Sequence, residues 1–437
     1  MIVTFLYECA LILIALIALP QFLYQLIFKG KYRKGTLKRF GIAFPTIKKE
    51  GRSLVWVHAV SLGETKAVVA LVKMIRTELG NPLIVFSTTT ETGYVEACRT
   101  IGADHHVYLP FDFGWVINPI IAQTAPDLLI LCESDFWYNL LKAAKKAGAK
   151  TVLVNGKLST RSMERFKKIR LFTRRLFSFI DLYCVQSQLY GKRFEEIGIP
   201  QEKIIVTGNM KFDGDYAKLP AQQLEDWRNE LDIGPLDPVL VIGSSHSPEE
   251  VQLLDVLSHV WKAFPDLKVI FVPRHPERFN EVAGILQKKR IYYRRLSQKN
   301  HRGSQRQVVL IDAMGLLRKC YQLADIAIVG GSYTSKVGGH NILEPSWYGV
   351  PVFFGPHMQS QPDLVDLMRE YGAGKQVKLQ DLQLELIELL QDAKKRKAIG
   401  DAGLRLAADV HGATAKTCGL IKKQFAIKNS SSQGSMR

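Results

Sequence analysis

Cysteine is scarce and scattered: the six, at positions 9, 98, 132, 184, 320 and 418, form no CxxC pair and no close cluster. That excludes a zinc ribbon, a thioredoxin-type redox motif and a disulfide-stapled secreted scaffold, and it suits a reducing compartment. The signatures of several common enzyme classes are missing as well. There is no GxGxxG, so a dinucleotide cofactor is not expected, and no GxxxxGK[ST], HExxH or GxSxG, which removes the P-loop, zincin and α/β-hydrolase readings. Glycine (33) and proline (18) show no collagen-like or low-complexity bias. Acidic residues are the minority charge, 41 against 59 Lys+Arg, giving a formal +18. With 47% hydrophobic and 23% charged residues in 437, the chain is long enough for two folded domains with separate cores.

One long apolar run is present. Residues 2–28, IVTFLYECALILIALIALPQFLYQLIF, reach the ~20 apolar residues that cross a bilayer core, interrupted by Glu8, Pro20, Gln21 and Gln25. Lys29, Lys31, Arg33, Lys34, Lys38 and Arg39 follow at once, and such an excess of positive charge places the rest of the chain on the cytoplasmic side. A cleaved signal peptide would carry its charge before the apolar core and end in small residues; neither feature is found. A buried amphipathic helix is the rival reading. The expectation is an N-terminal anchor over residues 1–28, spanning the bilayer or lying in one leaflet.

A charge of +18 calls for a polyanionic partner, nucleic acid or an anionic membrane surface. Position favours the membrane. Basic residues crowd beside the anchor and again in SMERFKKIRLFTRRLFSFI, residues 162–180, where cations alternate with Phe166, Ile169, Phe172, Leu176 and Phe177. Such a helix can lay its aromatic side on lipid, or it is a surface helix with its apolar side in the core. No zinc finger or RNP-type aromatic motif accompanies the charge, so no nucleic-acid partner is expected.

Short runs rich in Val, Ile and Leu recur between helical patterns: residues 54–58, 83–87, 127–132, 151–155, 182–185 and 204–206, then 239–242, 268–272, 308–311, 326–329 and 350–354. Continuous apolar strands alternating with helices mean parallel sheets covered on both faces. Two such series predict an α/β chain of two Rossmann-like domains facing across a cleft, over residues 29–215 and 216–425, with a flexible tail at 426–437. Ligands of such sheets bind beyond the carboxyl ends of the strands, and that is where the chemistry-bearing residues fall. Glu64 starts the helix after LVWVH, where a helix N-terminus favours its ionised form. Glu133 ends DLLILC, and Lys211 follows another strand in TGNMKFD. In the second half Arg274 ends a strand in VPRHP, and GGHNILEP carries Glu344 at a helix start, able to accept from a ribose diol.

With these residues in view, the chain resembles the 3-deoxy-D-manno-octulosonic acid (Kdo) transferases of the KdtA/WaaA family. VHAVSLGE, ESDFWYN, LSTRS, TGNMKFD, VPRHPER, DAMGLL and GGHNILEP carry the likeness, in that order. The resemblance implies a GT-B glycosyltransferase that moves Kdo from CMP-Kdo to a lipid A precursor with inversion, once or more per acceptor, with no cofactor and no metal, at the bacterial inner membrane. It implies Glu64 as proton acceptor, with Glu133 and Lys211 stabilising the transition state. CMP contacts would fall at Pro273, Arg274, Met314, Gly315, Leu316, Asn341, Ile342, Leu343 and Glu344, and Arg161 of LSTRS would lie on the acceptor side. The chain departs from the family pattern twice. Asp135 and Trp137-Tyr138-Asn139 stand where a second Glu and Trp-Pro-Asn are usual, and Ser247-Pro248-Glu249-Glu250 replaces a Gly-Glu-Glu, with Pro248 restricting that backbone. A UDP-sugar transferase or epimerase of the same fold, and a non-catalytic membrane-tethered glycolipid-binding module, are the alternatives.

Overall fold

The computed structural model describes residues 2–28, 36–42, 44–214, 216–298 and 307–433, with the side chains of 22, 23, 25–27, 36, 37 and 425–433 excepted. The basic run Lys29 to Lys34 and the expected boundary residue 215 lie outside them. Contacts divide the chain into two units, Met1–Asp213 with Gly412–Arg437, and Gly214–His411.

The first unit holds seven parallel strands: β1 (Leu54–His58), β2 (Leu83–Thr88), β3 (His105–Tyr108), β4 (Leu128–Cys132), β5 (Lys150–Gly156), β6 (Leu182–Val185) and β7 (Ile204–Val206), in the order β3-β2-β1-β4-β5-β6-β7. Successive side chains point to opposite faces, so alternate residues feed two cores. Trp56, Val85, Leu129, Leu131 and Leu153 pack beneath helices Gly114–Thr124 and Tyr138–Lys146. Val55, Val57, Phe86, Ile130 and Val152 pack with helix Leu62–Glu78. Neighbours depart in opposite directions from β1 and β4, which makes their carboxyl ends the switch point.

The second unit repeats the plan with β8 (Val239–Ser245), β9 (Lys268–Pro273), β10 (Tyr293–Arg295), β11 (Val308–Leu310), β12 (Ile326–Val329), β13 (Val352–Phe354) and β14 (Gly374–Gln376), ordered β10-β11-β9-β8-β12-β13-β14. Its switch point lies at β8 and β12.

The carboxyl terminus differs from the expected organisation. Instead of a second domain reaching 425 and a tail beyond, helix Ala413–Gln433 runs through that boundary and packs on the first unit. The reason is apolar: Ala413, Cys418 and Ile421 are buried in the same core as Val68, Leu71 and Val72.

The N-terminal helix Ile2–Phe28 is long and apolar enough to cross a membrane over Ile2–Gln21, and none of that stretch is buried. Its charged interruption, Glu8, has partners. The Glu8 carboxylate accepts from the Gly114 N–H (2.9 Å) and from Asn139 Nδ2 (2.8 Å), at the N-terminus of helix Gly114–Thr124, where a negative charge is favoured. Tyr7 donates to Asp112 (2.8 Å) and its ring lies against Tyr138 (5.0 Å) and Phe172 (5.6 Å). Tyr138, which stands where the family usually has proline, is therefore part of the seat of this helix.

Residues 160–177 form two helices, Thr160–Lys168 and Arg170–Phe177, with a break at Ile169. The aromatic side faces the core: Phe177 is buried, and Phe166 and Phe172 pack against the same cluster. Ile169 and Leu171 are exposed beside Lys168, Arg170 and Arg174.

Candidate active site

Ser61 caps helix Leu62–Glu78, its hydroxyl accepting from the Glu64 N–H at 3.4 Å. The Glu64 carboxylate reaches back, Oε2 accepting from the Val60 N–H (2.8 Å) and Oε1 from the Ser61 hydroxyl (3.2 Å). This is a variant of the capping box in which the N–H of Val60, one residue before the cap, takes the place of the cap residue's own, so Glu64 is a structural strut. It is not only that, because each carboxylate oxygen has a second lone pair. The helix-start position predicts a carboxyl held ionised. Instead burial raises its pKa, and the charges of Glu133 and Asp135 raise it further, against the Val60 N–H and His58. His58, fully buried at the end of β1, sets Nδ1 against the Ser87 hydroxyl (2.9 Å) and carbonyl (3.1 Å), and its Nε2 lies 3.8 Å from Asp135.

Glu133 follows β4 with φ +61°, and Asn155 near the end of β5 has φ +52°. Leu131 pairs with Leu153 and Cys132 with Val154, so the register carries Glu133 next to Asn155, whose Nδ2 donates to Oε1 at 3.4 Å. Asn155 Oδ1 in turn accepts from the Met210 N–H (3.0 Å), drawing the 209–212 turn onto the strand ends. There Lys211 pairs with Glu133, and Lys157 pairs with its other oxygen at 2.5 Å. Glu133 is 3% exposed. Burial alone would push its carboxyl up, but the two ammonium groups overcome it and hold the pKa below the ordinary value. Two cations on one carboxylate leave one net positive charge. The structure thus joins Glu64, Glu133 and Lys211 in one electrostatic group and adds Lys157, Asn155 and His58, which sequence reasoning missed. Lys157 lies just beyond β5, so the strand-end rule that selects Glu133 would have found it. Arg161 stands apart, exposed at the start of helix Thr160–Lys168.

In the second unit Pro273 ends β9 buried, and exposed Arg274 donates its N–H to the Ser245 carbonyl (3.1 Å). Met314 and Gly315 are exposed in the loop before helix Leu317–Tyr321. Arg274 and Arg318 both act on the Glu344 carboxyl, whose pKa burial raises against them; Arg274, Glu344 and the loop leading to Arg318 thereby form one group. Ile342 and Leu343 have fully buried side chains, so only their backbone is available to a ligand. Asn341 Oδ1 accepts from the Leu343 N–H (3.0 Å).

The two acids after Pro248 are internal. Glu249 is fully buried and accepts from the N–H groups of His246 (2.8 Å), Gly331 (2.6 Å) and Tyr333 (3.1 Å). Burial pushes its pKa up to about 7 against those donors. Glu250 pairs with Arg278 at 2.8 Å. Glu249→Ala would strand three backbone N–H groups, each at roughly 1–3 kcal/mol. We expect it to lower the denaturant midpoint of the second unit well below that of Glu249→Gln, which keeps an acceptor; urea titration followed by fluorescence checks this.

Two parallel-sheet units of this topology form a GT-B-like fold. A glycosyltransferase from Rickettsia africae shares the fold at TM-score 0.54 and 15% identity, covering 86% of this chain and 99% of that one. The UDP-GlcNAc 2-epimerase of Neisseria meningitidis does so at 0.55 and 13%, covering 82% and 98%. Sequence narrows the class. Residues 34–214 match the model of the 3-deoxy-D-manno-octulosonic-acid transferase (kdotransferase) family. The 3-deoxy-D-manno-octulosonic acid transferase of Chlamydia muridarum is 38% identical over 96% of this chain and 97% of that protein. That of Haemophilus influenzae is 31% identical over 90% and 92%. The chain belongs to the 3-deoxy-D-manno-octulosonic acid transferase family.

Proposed function

We propose that this protein transfers Kdo from CMP-Kdo to a lipid A precursor. The observation that carries the reading is the pairing of family membership over nearly the whole chain with a half-buried carboxyl of raised pKa, Glu64, beside a group of net positive charge, Glu133 with Lys157 and Lys211. Glu64 takes the proton of an acceptor hydroxyl as that oxygen bonds to the Kdo anomeric carbon. The bond from that carbon to the phosphate oxygen breaks on the opposite face, and CMP leaves with the electron pair. Arg274 and the loops at 314–316 and 341–344 hold the nucleotide, and Lys211 and Lys157 oppose the negative charge that develops. Arg161 serves the acceptor side. Incubation with CMP-Kdo and a lipid A precursor, followed by mass analysis, is expected to show an increment of one or more Kdo units. No increment with CMP-Kdo, or transfer from a UDP-sugar instead, would remove the reading.

The N-terminal helix is read as an anchor in one leaflet, on the cytoplasmic face of the bacterial inner membrane. Glu8 bonds Gly114, while Phe40 stacks on the adjacent Trp115 (6.5 Å), so residues 8 and 40 meet the same part of the first unit. From Glu8 to Phe28 the helix advances ~30 Å. The eight steps from Phe28 to Thr36 reach at most ~28 Å. A spanning helix would need the cations between Lys29 and Arg39 to return through hydrocarbon, which is prohibitive. Lys168, Arg170 and Arg174 then face anionic head groups. Reversing the charge of Arg170 and Arg174 is expected to weaken binding to anionic vesicles in flotation by about 30-fold or more, at about 1 kcal/mol per basic residue lost, while leaving transfer to a detergent-dispersed acceptor unchanged.

A further inference from the structure

Beside the residues assigned to the nucleotide lies a pair of imidazoles with no role so far. His246 follows β8, and His340 sits in the loop Gly338–Asn341. Their Nε2 atoms are 2.7 Å apart and their rings nearly parallel, 13° between planes. A third imidazole, His275, meets His246 edge-on at 5.1 Å. The placement is built. Gly338 and Gly339 both have φ above +80°, and Gly331, whose carbonyl accepts from the Gly339 N–H (2.8 Å), has no room for a side chain: a Cβ there would lie 2.9 Å from the His340 ring.

Two nitrogens at that separation need one proton between them. One Nε2 donates, the other accepts, and the accepting ring carries its own proton on Nδ1. The donating ring's Nδ1 is then a bare lone pair, and among the described residues the bond between the two Nε2 atoms is the one side-chain hydrogen bond of either ring. The permanently charged groups that act on the rings are cationic, Arg274 on both and Arg278 on His246, and the His275 imidazole lies beside them. The nearby acids are turned elsewhere, Glu249 to backbone N–H groups, Glu250 to Arg278 and Glu277 towards His275. Burial and these cations push both rings down to about 4, so the pair is uncharged at neutral pH in surroundings that lack a negative charge.

We propose that His246 and His340, with Arg274 and His275, form an oxyanion pocket that receives an acidic group of the sugar nucleotide and takes up one proton as it does so. The incoming proton goes to the bare Nδ1. The pair then presents two outward N–H donors and one positive charge, while the Nε2–H···Nε2 bridge stays intact. The acidic group is the phosphate or the sugar carboxylate, which share this chemistry. The inference rests on the CMP-sugar reading and adds to it the part of the site that recognises charge.

Titration calorimetry of the full chain at about pH 7.5, where the phosphate monoester of CMP is doubly ionised while the phosphodiester and the carboxylate of CMP-Kdo carry one negative charge each, tests it with CMP-Kdo, CMP and cytidine in buffers of differing ionisation heat. The wild type is expected to take up about one proton with CMP-Kdo and none with cytidine. His246→Asn/His340→Asn is expected to abolish the uptake and weaken binding roughly 10- to 100-fold, with cytidine unaffected. Loss seen with CMP as well identifies the phosphate; loss seen with CMP-Kdo alone identifies the carboxylate. Unchanged affinity and uptake in the variant overturn the pocket and leave the donor reading standing, whereas a wild type that binds neither CMP nor CMP-Kdo removes both. If the variant also loses cytidine, the wild-type proton count decides, and zero uptake with CMP-Kdo overturns the proposal.

Discussion

Glu64→Gln is expected to slow sugar transfer by about 10²- to 10⁴-fold, the usual contribution of a general base, at nearly unchanged thermal stability. The amide still offers an oxygen to the Val60 N–H that the carboxylate now bonds, so the helix start survives and the loss is chemical. Glu64→Ala should lose a similar factor in rate and the cap as well, at ~1 kcal/mol. Because burial, Glu133 and Asp135 raise the Glu64 pKa, the acid side of the rate profile should fall at a higher pH than an ordinary glutamate would give. The sign is fixed: as pH drops through the raised value Glu64 is protonated, and a protonated carboxyl cannot accept the hydroxyl proton. Initial rates with CMP-Kdo across pH measure both effects. A Gln variant as fast as wild type would eliminate Glu64 as the base.

Removing both lysines from Glu133 is expected to cost much of the stability of the first unit. Lys157→Ala/Lys211→Ala leaves a carboxylate that is 3% exposed without a counter-charge, a change that typically costs about 3–5 kcal/mol. Adding Glu133→Gln should recover most of it, since no buried charge remains to be compensated. The wild-type Glu133 carboxyl is held below its ordinary pKa, so its contribution is present above the unfolded-state value and is lost as pH falls through the lower folded-state value. In the double variant that acid-side loss should disappear. Urea unfolding at neutral and acid pH checks this. Equal stability of the double and triple variants would show that Glu133 does not rely on the two lysines.

The interior strands were legible because both faces are covered, which forces runs such as LVWVH and LLILC to be apolar throughout. The three strands that went unread, β3 (HHVY), β10 (YRR) and β14 (GKQ), are all at sheet edges, where two are only partly buried, β14 has no buried residue, and polar side chains are admitted. Glu64, Glu133 and Lys211 were visible as motif residues. Lys157, just beyond β5, was within reach of the same strand-end rule; Asn155 was not, because its partnership with Glu133 depends on the register of β4 with β5, which no local pattern encodes. The helix-start rule also gave the wrong direction for the Glu64 pKa. It considers one helix, while the neighbouring carboxylates arrive from the end of another strand.

The Asp213 carboxylate, at the end of the first unit's N-terminal segment, accepts from the N–H groups of Gly412 (2.8 Å) and Thr414 (2.5 Å), where the chain re-enters that unit. No uninterrupted stretch of polypeptide therefore encodes the front half. A ribosome that has finished residue 213 has made its sheet, yet the groove that Ala413, Cys418 and Ile421 fill stays uncovered until translation is nearly complete. A fragment ending at 213 should emerge sticky and chaperone-bound, and supplying the terminal helix as a separate peptide should rescue its solubility.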